Sequence, residues 1–485
     1  MNLAELTATG EALHEALGKE YYLTFAGLKP EPEFSHIYDR FGTLLQDEAL
    51  ETARSSNCPA LLEWLVGVRI GRKVAPLEER QLVKERETVL QFDGHEIPLL
   101  RAAIELANSA DRDFRIALDT TRSREAARVL NVIRRNRFEL EHEEVSALGY
   151  PDYVAAIATL SGIGLDELAA SAEVFLKDTL DMFTESLARV VKKRIGVGVD
   201  KLVRSDSAWA FRANQYDAAF ESHRLIETAM GQMAEMGLDA EQGGRVRFDT
   251  EEREGKQPRA FCVPVRVPEE VYLVIRPFGG HSDFRTFWHE LGHAMHFSAP
   301  SRELPFAARW LGDNSVTEGF AMLWDHLTMN PAWLERYSDL NSEDISSLEF
   351  ELAVQELHLV RRYAAKLSYE LSLHRGGFAS AGAEYADRLS EATLFKYSEQ
   401  DCLIDVDPGF YSARYLRAWQ MEARLASTLA GQHGDDWFRN PDAGAFVRGL
   451  TERGQAIPAD RLIEEVTGCE LGFEPIISRL EALLQ

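Results

Sequence analysis

The stretch FWHELGHAMH, residues 287–296, carries three histidines and one glutamate in ten positions. Ser282 and Asp283 give a start signal ahead of it and Pro300 a stop beyond it, so the segment is expected to be one helix. On a helix, His289 and His293 stand about 40° apart around the axis and one turn along it, so two imidazoles can converge on one metal ion. Glu290 lies about 100° round from His289, beside the pair, where a carboxylate suits a base acting on metal-bound water rather than a ligand. The other His-Glu pairs, His14-Glu15, His95-Glu96 and His142-Glu143, lack a second histidine four residues on. They read as exposed helix or loop residues.

A catalytic zinc takes three protein ligands and keeps one position open. His296 shares the face of His289 and His293, but its Cα lies about 10 Å along the axis from that of His289. One straight helix does not bring all three rings to one ion, so His296 reads as a packing residue or a neighbour of the ligands. The metzincin pattern needs glycine at 296 and histidine at 299; His296 and Ala299 exclude it. An acidic ligand from a later helix remains. Glu318, in DNSVTEGFAMLWDHL (313–327), follows His293 by 25 residues, enough for a loop and a returning helix. Ser315-Val316-Thr317-Glu318 is equally a capping box, in which the glutamate would be exposed. The apolar run after it reads as a buried helix, and with a preceding HExxH the ligand reading is the stronger. Asp325, seven residues on and on nearly the same face, can orient a ligand histidine or cap a surface turn.

Working outward, most of the 485 residues read as amphipathic helix, as in LDELAASAEVFLKDTLDMFTESLARVVKKR (165–194) and ISSLEFELAVQELHLVRRYAAKLSYELSL (345–373). FCVPVRVPEEVYLVIRPFGG (261–280) differs: two β-branched runs bounded by proline or glycine predict a small sheet, with Pro264 marking an edge strand. A helical, charge-rich region over 1–130 without site chemistry is divided from a catalytic region, 131–485. Acidic residues outnumber basic ones by 79 to 53, a formal charge of −26. That repels phosphates and anionic lipid, so neither nucleic acid nor membrane is expected as a partner. No apolar run approaches the roughly 20 residues of a membrane span, and the first residues lack a basic-then-apolar leader. A cytoplasmic location is the expectation.

With these residues in hand, the sequence resembles the thimet oligopeptidase and oligoendopeptidase F family of zinc metallopeptidases. The likeness rests on His-Glu-x-Gly-His-x-x-His at 289–296, on a glutamate about 25 residues later, and on PGFYSARYLRAW (408–419) near the C-terminus. VYLVIRPFGG (271–280) resembles the family's edge strand and glycine loop, and NRFELEHEEVSALGYPDYV (136–154) and AIPADRLIEEVTGCEL (456–471) are also similar to it. The family's longer members imply a shortened N-terminal region here. Val406, Asp407 and Ala418 stand where some members place a histidine and a third tyrosine, so substrate preference and transition-state contacts are expected to differ.

The resemblance implies a mainly α, multi-helix zincin-like fold, with a small sheet beside the zinc helix and a deep channel between helical halves. It implies one zinc ion held by His289, His293 and Glu318, with Glu290 as the base. Tyr411 and Tyr415, which at i and i+4 read by themselves as ordinary core aromatics, become oxyanion donors. The strand near 271–276 is expected to hold substrate by backbone addition. The partners implied are short unfolded peptides; the oligomeric state is not legible. Two rivals stand beside this reading. One is a zinc carboxypeptidase, for which no basic residue to hold a terminal carboxylate is evident. The other is a non-catalytic helical peptide-binding protein with a vestigial metal site.

Overall fold

Long amphipathic segments fold as helices, and the computed structural model describes residues 1–484 of the chain. The elements used below are α1 (Leu3–Phe25), α2 (Pro59–Glu87), β1 (Val89–Phe92), β2 (His95–Pro98), α3 (Arg112–Ala147), α4 (Tyr153–Ser161), β3 (Val246–Asp249), β4 (Phe261–Arg266), β5 (Glu270–Val274), α5 (His281–Ser298), α6 (Asn314–Asp325), α7 (Ser342–Gly376) and α8 (Tyr411–His433). The chain is mainly α, as the periodicity implied. No single helix among the described residues is long and apolar enough to cross a membrane; one pair that passes together, Tyr153–Ser161 with Leu165–Asp178, is bent by 93°.

The chain forms two compact units. The first comprises Met1–Arg72, Gln215–Glu349 and Arg417–Ile476; the second comprises Lys73–Asn214, Phe350–Leu416 and the segment from Ile477 onward. These units do not coincide with a linear division at residue 130. Three of their five boundaries fall inside α2, α7 and α8.

In the first unit the β-branched runs form a three-stranded sheet in the order β3-β5-β4, with β5 parallel to β3 and antiparallel to β4. Pro264 lies on an edge strand, as its missing N–H requires. The 271–276 segment differs from the expectation. β5 is central and its backbone is engaged on both sides, with Tyr272 opposite Arg247 on one strand and Val263 on the other. It has no free edge for a peptide, and backbone addition there is withdrawn.

The sheet packs on α5 through a cluster of Val246, Val271 and Ala294, with Phe248, Cys262 and Phe297 against it. The other face of α5 is held by buried Phe284 and Trp288. The Trp288 indole donates to Gln232 Oε1 at 2.6 Å, a group that also accepts from Trp333 at 2.9 Å. Gly280, with φ of 94°, turns the chain into α5. Asp283 is not the cap but lies in the first turn, where its carboxylate accepts from the backbone N–H of Gly279 at 2.8 Å.

α6 lies against α5 at unusually short range. A Cβ added at Gly292 would stand 2.6 Å from Ala321 Cα and 2.7 Å from Trp324 Cδ1. Only glycine permits that approach. α6 begins at Asn314 under the Asp313 cap, whose Oδ1 accepts from Ser315 N at 2.9 Å. Ser315 is therefore inside the helix, and the capping-box reading of Glu318 is wrong: the cap sits two residues earlier.

The second unit is built on the long helices α3 and α7, with the β1-β2 hairpin beside α3. This hairpin falls within the region read as helical. Its turn is Asp93-Gly94, with φ of 47° and 77°, the two left-handed residues a two-residue hairpin prefers.

An exposed helical glycine gains about 1 kcal/mol on replacement by alanine. Gly292→Ala is expected to do the reverse and lose about 1–3 kcal/mol by overpacking against α6. Denaturant unfolding measures it, and an alanine variant as stable as the parent would contradict the close approach.

Candidate metal centre

The i, i+4 spacing on α5 places the imidazoles of His289 and His293 with ring centroids 4.9 Å apart. α6 brings a carboxylate to the same point. Glu318 Oε2 lies 3.4 Å from His289 Nε2 and 3.5 Å from His293 Nε2. Ligands bound at about 2.0–2.1 Å to one tetrahedral ion are about 3.3–3.4 Å from each other. The two Glu318 distances match that spacing, all three ligand atoms lie within 4.8 Å of one another, and the donor set of two imidazoles and one carboxylate fits a divalent metal.

The remaining ring nitrogens are engaged elsewhere. His289 Nδ1 donates to Asp325 Oδ2 at 2.8 Å, and His293 Nδ1 lies 2.9 Å from Thr317 Oγ1. A carboxylate only accepts, so His289 presents a protonated Nδ1 to Asp325, while the Thr317 hydroxyl meets Nδ1 of His293. Arg285 Nε stands 3.5 Å from the other Asp325 oxygen and helps hold it charged. Thr317, Glu318 and Asp325 are all supplied by α6.

Electrostatics separate the carboxylates. Burial by itself would raise Glu318, but the neighbouring His293 and His289 outweigh it and hold the group well below the usual carboxylate range. Glu290 goes the other way: burial lifts its carboxyl above the ordinary value, with His289, His293 and Arg259 opposing incompletely. For His289, burial lowers the imidazole, yet Asp325 and Glu318 more than reverse this and raise it to about 10.

His296 is not in the group. Its Nε2 donates to Gly454 O at 3.2 Å, its ring packs 5.1 Å from that of Phe320, and burial lowers it to about 4. Tyr411 and Tyr415 belong to the second unit, with ring centroids 5.2 Å apart, and Tyr415 also meets Tyr363 at 5.0 Å. Two of the other His-Glu pairs are less exposed than expected. His14 is enclosed by Trp64, Phe306 and Trp310, and His142 pairs with His374, Nε2 to Nδ1, at 2.8 Å. His95 is exposed on the hairpin. Thr317 was missed by the sequence reading; its place just before the candidate ligand Glu318 was the available signal.

No family model and no curated relative matches the chain. Solved structures do. A protein described as an oligoendopeptidase F from Bacillus anthracis strain Ames superposes with a TM-score of 0.65 at 16% identity, over 98% of this chain and 83% of that one. PZ peptidase A, solved with an inhibitor, gives a TM-score of 0.66 at 15% identity, over 98% and 85%. The chain shares the mainly α fold of these two structures, and the likeness read from the motifs holds at the level of the fold.

Asp325→Ala removes the carboxylate on His289 without touching a ligand. It is expected to weaken metal binding about 10–100-fold, read by competition with a chromophoric chelator. Unchanged affinity would show that the contact orients nothing.

Proposed function

We propose that the protein is a zinc-dependent peptidase that hydrolyses peptide bonds in short, unfolded oligopeptides. The observation that carries this reading is the meeting of His289, His293 and Glu318, with Glu318 Oε2 3.4 and 3.5 Å from the two Nε2 atoms, beside a buried glutamate, Glu290, outside the group. The fold shared with an oligoendopeptidase F and a PZ peptidase supports it. Bound by those three side chains, one zinc ion supplies Lewis acidity to the scissile carbonyl and to water. Glu290 accepts the proton of the attacking water and passes it to the leaving amine nitrogen. A carboxyl raised by burial suits both halves of that transfer, because it holds a proton more readily than an exposed one. The phenols of Tyr411 and Tyr415 are assigned as donors to the carbonyl oxygen as negative charge develops. Substrates and products being short peptides, the cytoplasm is the proposed location.

Digestion of a mixed peptide library, with and without chelator and read by mass spectrometry, tests the function. Chelator-sensitive cleavage is expected, and internal cuts in peptides with amidated C-termini separate endopeptidase from carboxypeptidase action. Glu290→Gln is expected to keep its zinc and to lose about 10²–10⁴-fold in turnover. A glutamine variant that cleaves at the parent rate would sink the mechanism.

A further inference from the structure

Two stretches singled out in the sequence, 136–154 and 408–419, have no part in the metal group. In the second unit they meet. Gly409 and Phe410 both have left-handed backbone, φ 64° and 51°, and Tyr411 opens α8 directly after them. A phenylalanine in that region is unfavourable for an L-residue, so the turn persists only if its surroundings hold it.

Buried side chains do so from both ends. The Tyr153 hydroxyl, on α4, accepts from Gly409 N at 3.0 Å and donates to Glu141 Oε2 at 2.9 Å. Arg137 Nε donates to the other Glu141 oxygen at 2.8 Å, tying down the far end of that chain. Glu370, wholly buried on α7, accepts from Asp407 N at 2.8 Å and from the Ser412 hydroxyl. Between these ties the Phe410 ring packs 5.9 Å from Tyr153 and 5.2 Å from His374.

We infer that Tyr153 is a positioning residue, whose hydroxyl fixes the left-handed turn at Gly409-Phe410 and thereby the aim of Tyr411 at the start of α8. This rests on the proposed role of Tyr411 as an oxyanion donor. A one-residue change in such a turn would rotate the first turn of α8 and with it the Tyr411 phenol; under the proposed donor role that lowers turnover rather than binding.

The test is a double-mutant cycle on the zinc-loaded full chain with a quenched fluorescent peptide. Tyr411→Phe is expected to lower kcat about 100-fold. Tyr153→Phe, which keeps the ring, is expected to lower kcat about 10-fold with KM within about twofold and zinc content unchanged. In the Tyr411→Phe background, Tyr153→Phe should cost nothing further, because the group it aims is gone. A full additional loss there, or a parent-like kcat for the single Tyr153→Phe variant, overturns the inference and leaves the peptidase reading intact. A parent-like kcat for Tyr411→Phe removes the donor and the inference together, whereas an active Glu290→Gln variant strikes the peptidase mechanism itself. If Tyr153→Phe does not fold, Gly409→Ala and Gly409→Asn replace it, since a Cβ there meets no atom within 4 Å and only the backbone is tested. Alanine should lower kcat and asparagine, which tolerates the left-handed region, should lower it less. Alanine at the parent rate also overturns the inference.

Discussion

The candidate metal group comes together because two helices touch where one of them has no side chain. Gly292 lies between His289 and His293, and Ala321 and Trp324 of the facing helix occupy the space a Cβ would take. Any larger residue at 292 would push α6 outward, and ligand distances near 2 Å leave no slack for that displacement. The glycine of the motif is thus a packing requirement. Its cost in helix propensity, about 1 kcal/mol, is offset by the buried apolar contact that the approach permits.

One helix supplies Thr317, Glu318 and Asp325, so the candidate third ligand and the two groups that meet the Nδ1 atoms move as a unit. Glu318 and Asp325, seven residues apart, lie on the same face about two turns apart, one between the Nε2 atoms and one at Nδ1 of His289. Sliding α6 by one residue, about 1.5 Å, would take all three out of register at once. The register is therefore over-determined: apolar packing on both sides of α5, the Gly292 contact and the hydrogen bonds to both Nδ1 atoms all specify the same alignment.

Much of this was legible in the sequence, and the reasons for the gaps are physical. His289, Glu290 and His293 declare themselves because helix geometry alone makes an i, i+4 pair convergent. Glu318 was ambiguous because Ser315 imitates a cap. Asp313, the true cap, precedes it by two residues, and nothing local to the sequence decides which oxygen reaches the first N–H. The order of the sheet was misread because a run of β-branched residues reports burial, not which neighbours flank it. β5 is central and its partner β3, a four-residue strand, lies some twenty residues earlier without a strong pattern of its own. The hairpin at 89–98 carried an Asp-Gly signal that the surrounding charge-rich helices obscured. The compact units were not legible at all, since their boundaries fall within helices where no linker composition marks them.

The two carboxylates near the histidines illustrate how one environment gives opposite properties to identical chemistry. Both Glu290 and Glu318 are buried, and burial raises each. They differ in what else reaches them. Glu318 faces both Nε2 atoms within 3.5 Å and is held anionic, the state a ligand needs. Glu290, about 100° round the helix, feels the same imidazoles only at longer range, and burial wins. A group held below its usual range cannot shuttle a proton at neutral pH, while one held above it can. The opposite shifts of the two carboxylates therefore follow from one angular step on α5 and the side from which α6 approaches, and the proposed roles of ligand and base rest on that difference.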